Sequence, residues 1–131
     1  MTTRPSLKKL PREQIFFCGV MLLWMGCIFA LSARPYSAEE TELFLGSWNL
    51  AVRKLAHFTE YAVLTFFAWG VWRPLRRARA WALLTAVVYA IGDEFHQVFV
   101  PGRGASPFDV LLDGLGALVI LGLVGRWQNQ R

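Results

Sequence analysis

The sequence predicts an all-α fold, an integral membrane four-helix bundle with a short helix on its outer surface. Of the 131 residues, 55% are hydrophobic and 18% are charged, which is apolar for a soluble chain of this length. The hydrophobic residues form four runs of about 17 to 20 residues, close to the length that a helix needs to cross a hydrocarbon core of about 30 Å. We predict spans over about residues 15–32, 55–72, 81–100 and 110–127, within a single domain of residues 1–131.

The first run follows a basic head in residues 1–13, a pattern typical of a cleaved signal peptide and also of a retained first helix. At about 17 residues, the run is longer than most signal-peptide cores. Its length favours a helix that stays in the protein.

The basic residues orient the predicted bundle. With four spans, the termini and the loop between the second and third spans share one side, and all but four of the 14 Lys and Arg residues lie there. The four on the other side are Arg34, Arg53, Lys54 and Arg103. Positive residues favour the cytoplasm, so both termini are predicted to be cytoplasmic in a multi-pass protein of the inner or plasma membrane. The basic residues form no continuous stripe, so the sequence does not predict a nucleic-acid partner.

The outer loop between the first two spans is long enough to hold its own helix. Ser37 and Glu40 have the spacing of a capping box, and Gly46 is a typical stop. We therefore predict a short helix over residues 38–45 that lies on the membrane surface.

Several carboxylates lie inside the predicted spans. Each costs about 2.5 to 3.5 kcal/mol at mid-membrane, so a few of them would offset much of a stability of about 5 to 15 kcal/mol. They should therefore face the bundle interior, paired with basic side chains, with His57 or His96, or with an ion. The carboxylates concerned are Glu60, Asp93, Glu94 and Asp113.

Three spans carry polar residues at a similar depth in the outer half of the membrane. Residues three or four apart share one face of a helix. The polar faces comprise Lys54, His57 and Tyr61, then Tyr89, Asp93 and Gln97, then Asp109 and Asp113. If these faces converge, they form one pocket below the tight turn at Pro101, Gly102 and Arg103.

Structural roles stay open for some of these residues. Asp109 ends a capping box that begins at Ser106, so it could be a helix cap. Lys54 could extend to the outer head groups, and His57 could be an interhelical hydrogen-bond donor. The whole cluster could be a polar plug that fixes helix packing. The adjacent carboxylates in the third span favour a function, because intramembrane acids are usually functional.

The polar positions follow an ordered pattern: Lys54-x-x-His57-Phe58-x-x-Tyr61, Asp93-Glu94-x-His96-Gln97, Pro101-Gly102-Arg103, Asp109, and Asp113-x-x-Gly116. From about Lys54 to Leu121, this pattern resembles the VanZ-like family, small multi-span membrane proteins whose founding member is associated with teicoplanin resistance. Asp113 departs from the Asn usual in the family and adds a charge to the site. The resemblance implies a role in the cell envelope that affects glycopeptide or lipoglycopeptide susceptibility.

The predicted pocket suits acid and base chemistry on a lipid-linked or cell-wall substrate. Asp93 or Glu94 would be the base with His57 as its partner, and Arg103 with Lys54 would hold phosphate or carboxylate. The remaining predicted substrate-binding residues are Tyr61, Gln97, Asp109 and Asp113. A divalent cofactor such as Mg²⁺, Ca²⁺ or Mn²⁺ is compatible with these oxygen ligands, although no HExxH or paired CxxC motif supports one.

Non-catalytic functions compete with an enzyme. The same pocket could bind a membrane lipid, a lipid-linked cell-wall precursor or a lipoglycopeptide without chemistry. An ion-coupled transporter ranks third, because the polar groups stop in the outer half of the membrane. The sequence does not decide between an enzyme and a binder.

Overall fold

The computed structural model describes residues 11–130, which form five α-helices, one 3-10 turn and no strand. The helices are α1 (Arg12–Ser32), α2 (Ser37–Leu45), α3 (Asn49–Trp72), α4 (Ala78–Gln97) and α5 (Pro107–Asn129), and the 3-10 turn (Gly46–Trp48) joins α2 to α3. The predicted all-α class is confirmed over this part of the chain. Four of the basic residues used to orient the bundle, Arg4, Lys8, Lys9 and Arg131, lie outside the described residues.

Helix α3 occupies the centre of the bundle and packs against α1, α4 and α5. Helices α4 and α5 also pack against each other, whereas α1 touches α4 only slightly. Small residues allow close packing, since Ala68, Ala82, Ala86 and Ala117 are all buried between helices. At Gly116 of α5 an added Cβ would meet a backbone carbonyl of α3, so only glycine permits this approach.

The outer surface of the bundle is strongly apolar. Large side chains such as Leu23, Phe95 and Leu111 are well exposed. Helices α1 and α5 are long and apolar enough to cross a membrane, whereas α3 and α4 fall short by composition. An apolar exterior around a partly polar interior is the distribution expected for a bundle surrounded by lipid.

The predicted span boundaries differ from the helix ends by up to six residues, as α3 and α4 illustrate. Helix α4 ends at Gln97, three residues before the end of the apolar run, and Val100 N–H donates to the Gln97 carbonyl at 3.1 Å in a tight turn. Helix α3 begins at Asn49, six residues before the run. Hydropathy reports which residues suit lipid, while a helix ends where its backbone hydrogen bonds end, so the two limits need not coincide.

The predicted outer helix is present, but its predicted cap is wrong. The N-cap of α2 is Tyr36, with φ of 54°, and no side chain caps this helix end. Gly46 does end the helix, with φ of 51°. Gly102, with φ of 73°, lies so close to Tyr36 that an added Cβ would come within 2.7 Å of its ring. Tyr36 N–H also donates to the Pro101 carbonyl at 3.1 Å, which fastens α2 to the turn after α4.

Candidate functional site

Buried polar side chains gather where α1 and α4 end and α3 and α5 begin. Tyr61 is 0% exposed, Asp113 1%, Gln97 4%, and Asp93 5%. These values place the side chains inside the bundle rather than toward lipid, as expected from the cost of desolvating a carboxylate.

Asp93 has a donor for each carboxylate oxygen. Ser32, the last residue of α1, donates its hydroxyl to Oδ1, and Gln97 Nε2 donates to Oδ2 at 2.9 Å. The pairing with Gln97 follows from their spacing of one helical turn. Ser32 carries no motif that could have identified it, because its approach depends on how α1 packs against α4. Asp93 thus connects α1 to the polar cluster.

His57 faces Asp113 across the contact between α3 and α5. Its Nδ1 lies 3.5 Å from Asp113 Oδ1, longer than a hydrogen bond but within range of an ion pair. Neither atom has a hydrogen-bond partner among the described residues. The sequence-based hypothesis paired His57 with Asp93 or Glu94 and left Asp113 to the substrate, whereas the nearest carboxylate to His57 is that of Asp113.

Glu94 takes the capping role that the sequence predicted for Asp109. Asp109 forms an ion pair with Lys54, so its carboxylate turns toward α3. The N–H of the N-cap residue Ser106 instead donates to Glu94 Oε2 at 2.8 Å. Pro107 occupies the first helical turn as predicted. Glu94 therefore caps α5 from the neighbouring helix, and Lys54 neutralises Asp109 rather than extending to the head groups.

Arg103 reaches from the turn after α4 to the start of α2. Its Nη1 donates to Ser37 Oγ at 2.7 Å, and its buried Nε has no hydrogen-bond partner in residues 11–130. Burial and the neighbouring Arg53 lower the pKa of Arg103, and three nearby carboxylates oppose this shift. Arginine side chains stay protonated in proteins, so the guanidinium keeps its positive charge.

A polar cavity of about 190 Å³ lies between the end of α1, helix α2, the first turns of α3 and Arg103. The cavity has room for several water molecules or for a small head group. Its charged and polar lining includes Arg34, Arg53, Arg103, His57, Glu60 and Ser32. The wall holds three arginines and one carboxylate, and Arg34 also forms an exposed ion pair with Glu40 at 3.3 Å. Positive charge remains in excess, so the cavity suits an anionic group.

The nine predicted site residues do not line one pocket. His57 and Arg103 line the polar cavity, and Asp113 and Asp93 lie directly behind it through His57 and Ser32. Glu94 instead lines a separate cleft beside Ser106. The remaining residues have other contacts or positions: Lys54 and Asp109 pair with each other, Gln97 supports Asp93, and Tyr61 is in the core.

The sequence reasoning missed the contribution of the outer loop. Arg34 and Arg53 were counted only as outer charges, and Ser37 only as a helix cap. Arg34, Ser37 and Arg53 come from different parts of the chain and meet only in the folded protein, which helical periodicity does not report. Across residues 11–130, no three His, Cys, Asp or Glu side chains come close enough together to hold a metal ion.

Comparison with known proteins identifies a family. No curated protein and no solved structure matches the chain significantly. The family model described as VanZ/LLP1 matches residues 17–128, which is nearly the whole chain. The match includes most of α1 and the outer loop, where the sequence alone offered no recognisable motif. The chain therefore belongs to the VanZ-like family.

Proposed function

We propose that this VanZ-like chain crosses the plasma membrane four times and binds the anionic head group of a lipid or lipid-linked cell-wall precursor at the outer face. Both termini are cytoplasmic in this arrangement. Binding of the head group changes the susceptibility of the host to a glycopeptide or lipoglycopeptide, the phenotype that the family resemblance implies.

Helix length and charge support the topology. Helices α1, α3, α4 and α5 contain 21, 24, 20 and 23 residues, respectively. At 1.5 Å per residue each is at least about 30 Å long, enough for the hydrocarbon core. The polar residues that make α4 less apolar, including Asp93 and Glu94, are buried. The arginine-rich loop of residues 73–79 lies at the opposite end of α3 and α4 from the cavity, which suits the cytoplasmic side.

The observation that carries the proposal is the cavity with three arginines in its wall. Guanidinium groups bind phosphate and carboxylate with paired donors, and they are favoured for this task where water is partly excluded. The buried Nε of Arg103 is a donor without an acceptor among the described residues, and such a donor is costly unless something satisfies it. An anionic ligand would supply the acceptor.

Acid and base chemistry is a second candidate, favoured by the contact between His57 and Asp113. A carboxylate beside an imidazole orients the ring and stabilises its protonated form, which prepares the other nitrogen to take a proton. The test is turnover of a lipid-linked precursor by purified protein. Asp113→Asn should slow turnover while leaving head-group binding intact, and an unchanged rate would remove this candidate.

The proposed function is tested with Arg103→Ala, Asp93→Asn and His57→Ala, each scored for membrane abundance and for lipoglycopeptide susceptibility of the host. Arg76→Ala is the matched control, because Arg76 is exposed at the other end of the bundle. We expect Arg103→Ala and Asp93→Asn to keep their abundance and to change susceptibility, while the control changes neither. His57→Ala should also change susceptibility, but with some loss of abundance, because the buried Asp113 loses its partner. Loss of abundance in all three site variants would indicate a structural cluster instead.

A further inference from the structure

We propose that an apolar groove between α1 and α4 holds a hydrocarbon chain of the same lipid whose head group binds the polar cavity. This inference rests on the proposed head-group function and names the ligand class as a lipid rather than a soluble anion. The groove exists because α1 and α4 both pack on α3 but barely touch each other.

The groove has a volume of about 590 Å³ and is open along one side. Met25 and Phe29 of α1 form one wall, Val88 and Gly92 of α4 form the other, and Trp81 lies near the far end. Nearly all of the exposed lining is apolar. The surface therefore favours a hydrocarbon ligand.

Polar groups along the groove are already satisfied by the protein. Tyr89 donates its hydroxyl to the Met25 carbonyl at 2.6 Å. Trp72 Nε1 donates to Thr85 Oγ1 at 3.0 Å, and Thr85 Oγ1 in turn donates to the Trp81 carbonyl at 2.9 Å. A polar occupant would lose hydrogen bonds to water without gaining new ones here, so it is disfavoured.

The groove meets the polar cavity at one hydrogen bond. Asp93 lines the groove, Ser32 lines the cavity, and the two side chains are bonded to each other. A molecule with an anionic head and an apolar chain can occupy both spaces by passing over this pair. The arginines around the cavity and the hydrocarbon lining of the groove together describe an anionic lipid.

The groove is long enough for a lipid chain. Trp81 and Asp93 are twelve residues apart on α4, which corresponds to about 18 Å along the helix. This length exceeds half the thickness of a hydrocarbon core of about 30 Å, so the groove can hold an acyl chain through one leaflet.

Gly92→Leu tests the groove directly. An added Cβ at Gly92 meets no atom within 4 Å, so leucine can fill the groove without disturbing the packing of α4. Gly122→Leu on α5 is the matched control, because Gly122 is equally open and is not part of the groove. Native mass spectrometry of the purified protein would titrate dioleoyl phosphatidylglycerol and its dihexanoyl analogue, whose chains are too short to fill the groove.

Gly92→Leu is expected to weaken binding of the dioleoyl lipid by about tenfold or more, because burial of each methylene favours binding. It should weaken binding of the dihexanoyl lipid much less, because a six-carbon chain buries few methylenes in the groove. Gly122→Leu should bind both lipids like the wild type. Wild-type binding of the dioleoyl lipid by Gly92→Leu would overturn the inference. The inference would also fail if the wild type forms a dimer that Gly92→Leu does not form while lipid binding is unchanged. A second copy of the chain would then cover the groove.

Arg103→Ala separates this inference from the proposed function. If head-group binding is correct, this variant weakens both lipids. If it weakens neither while Gly92→Leu weakens the long-chain lipid, the groove holds a chain but the head-group proposal fails. If only Arg103→Ala has an effect, the head-group proposal stands and the groove proposal fails.

Discussion

Replacing Gly116 with alanine is expected to separate α5 from α3 and to weaken the site without touching it. The new methyl group would overlap the carbonyl of Phe58, and a backbone atom in a packed helix cannot rotate away as a flexible side chain can. His57 precedes Phe58 in α3, and Asp113 lies three residues before Gly116 in α5. The helices can accommodate the methyl only by moving apart, which lengthens the 3.5 Å contact between His57 and Asp113.

The expected loss of unfolding free energy can be bounded with a second glycine of the same helix. Overpacking of this kind lowers the free energy of unfolding by about 1 to 3 kcal/mol. Replacing a helical glycine with alanine raises it by up to about 1 kcal/mol, because alanine has the higher helix propensity. Gly114→Ala carries the same gain in helix propensity, but its Cβ meets no atom within 4 Å. The difference between the two variants therefore isolates the overpacking cost, and we expect Gly116→Ala to be less stable by about 1 to 3 kcal/mol.

The assay is reversible unfolding of the purified protein in mixed micelles, followed by the loss of helical circular dichroism with increasing denaturing detergent. Lipid binding by the two variants would be titrated in parallel. Equal stability of Gly116→Ala and Gly114→Ala would refute the close approach of α3 and α5. A less stable Gly116→Ala with full lipid binding would show instead that the spacing of His57 and Asp113 does not affect the site.

Three further predictions concern the edge of the site and its orientation. Glu94→Ala should cost about 1 to 3 kcal/mol, since the Ser106 N–H loses its acceptor, whereas Glu94→Gln keeps an acceptor oxygen and should unfold close to the wild type. Asp109→Asn should cost at most about 1 kcal/mol, because its ion pair with lysine is partly exposed, and a larger loss in the same assay would contradict this. The third prediction uses a protein in which both native cysteines are replaced by serine. Gly104→Cys should then react with an impermeant maleimide on intact cells, and Arg76→Cys should react only after permeabilisation. The opposite pattern would mean that the topology is inverted.

The helices were predictable because lipid and backbone hydrogen bonding leave few alternatives for a long apolar run. Their ends were less predictable, as at Gln97, where the apolar run continues beyond the helix. The burial of Asp93, Glu94 and Asp113 followed from a desolvation cost of several kcal/mol that any lipid-facing position would incur. Physical cost thus determined which side chains point inward, but not which partner each one meets.

Partners depend on the rotation and lateral order of the helices. The pairs Ser32–Asp93 and His57–Asp113 join different helices, and neither is encoded by spacing along one helix. The same limit explains why Glu94 caps α5, a role that local sequence assigns to Asp109. A capping box assumes that the nearest carboxylate in sequence is the nearest in space, and packing between helices makes that assumption unsafe.

Asp113 shows both the cost of burying a carboxylate and the importance of the partner that it meets. Its carboxylate faces His57 rather than opening into the polar cavity. A buried carboxylate is tolerated where a group that can carry positive charge faces it, so His57 and Asp113 are best treated as one unit whose members depend on each other. On this reasoning, Asp113→Asn together with His57→Gln should be tolerated better than His57→Gln alone, which would leave a carboxylate 1% exposed without its partner. A double-mutant cycle on unfolding free energy measures this coupling, and additive losses would mean that the two residues act independently.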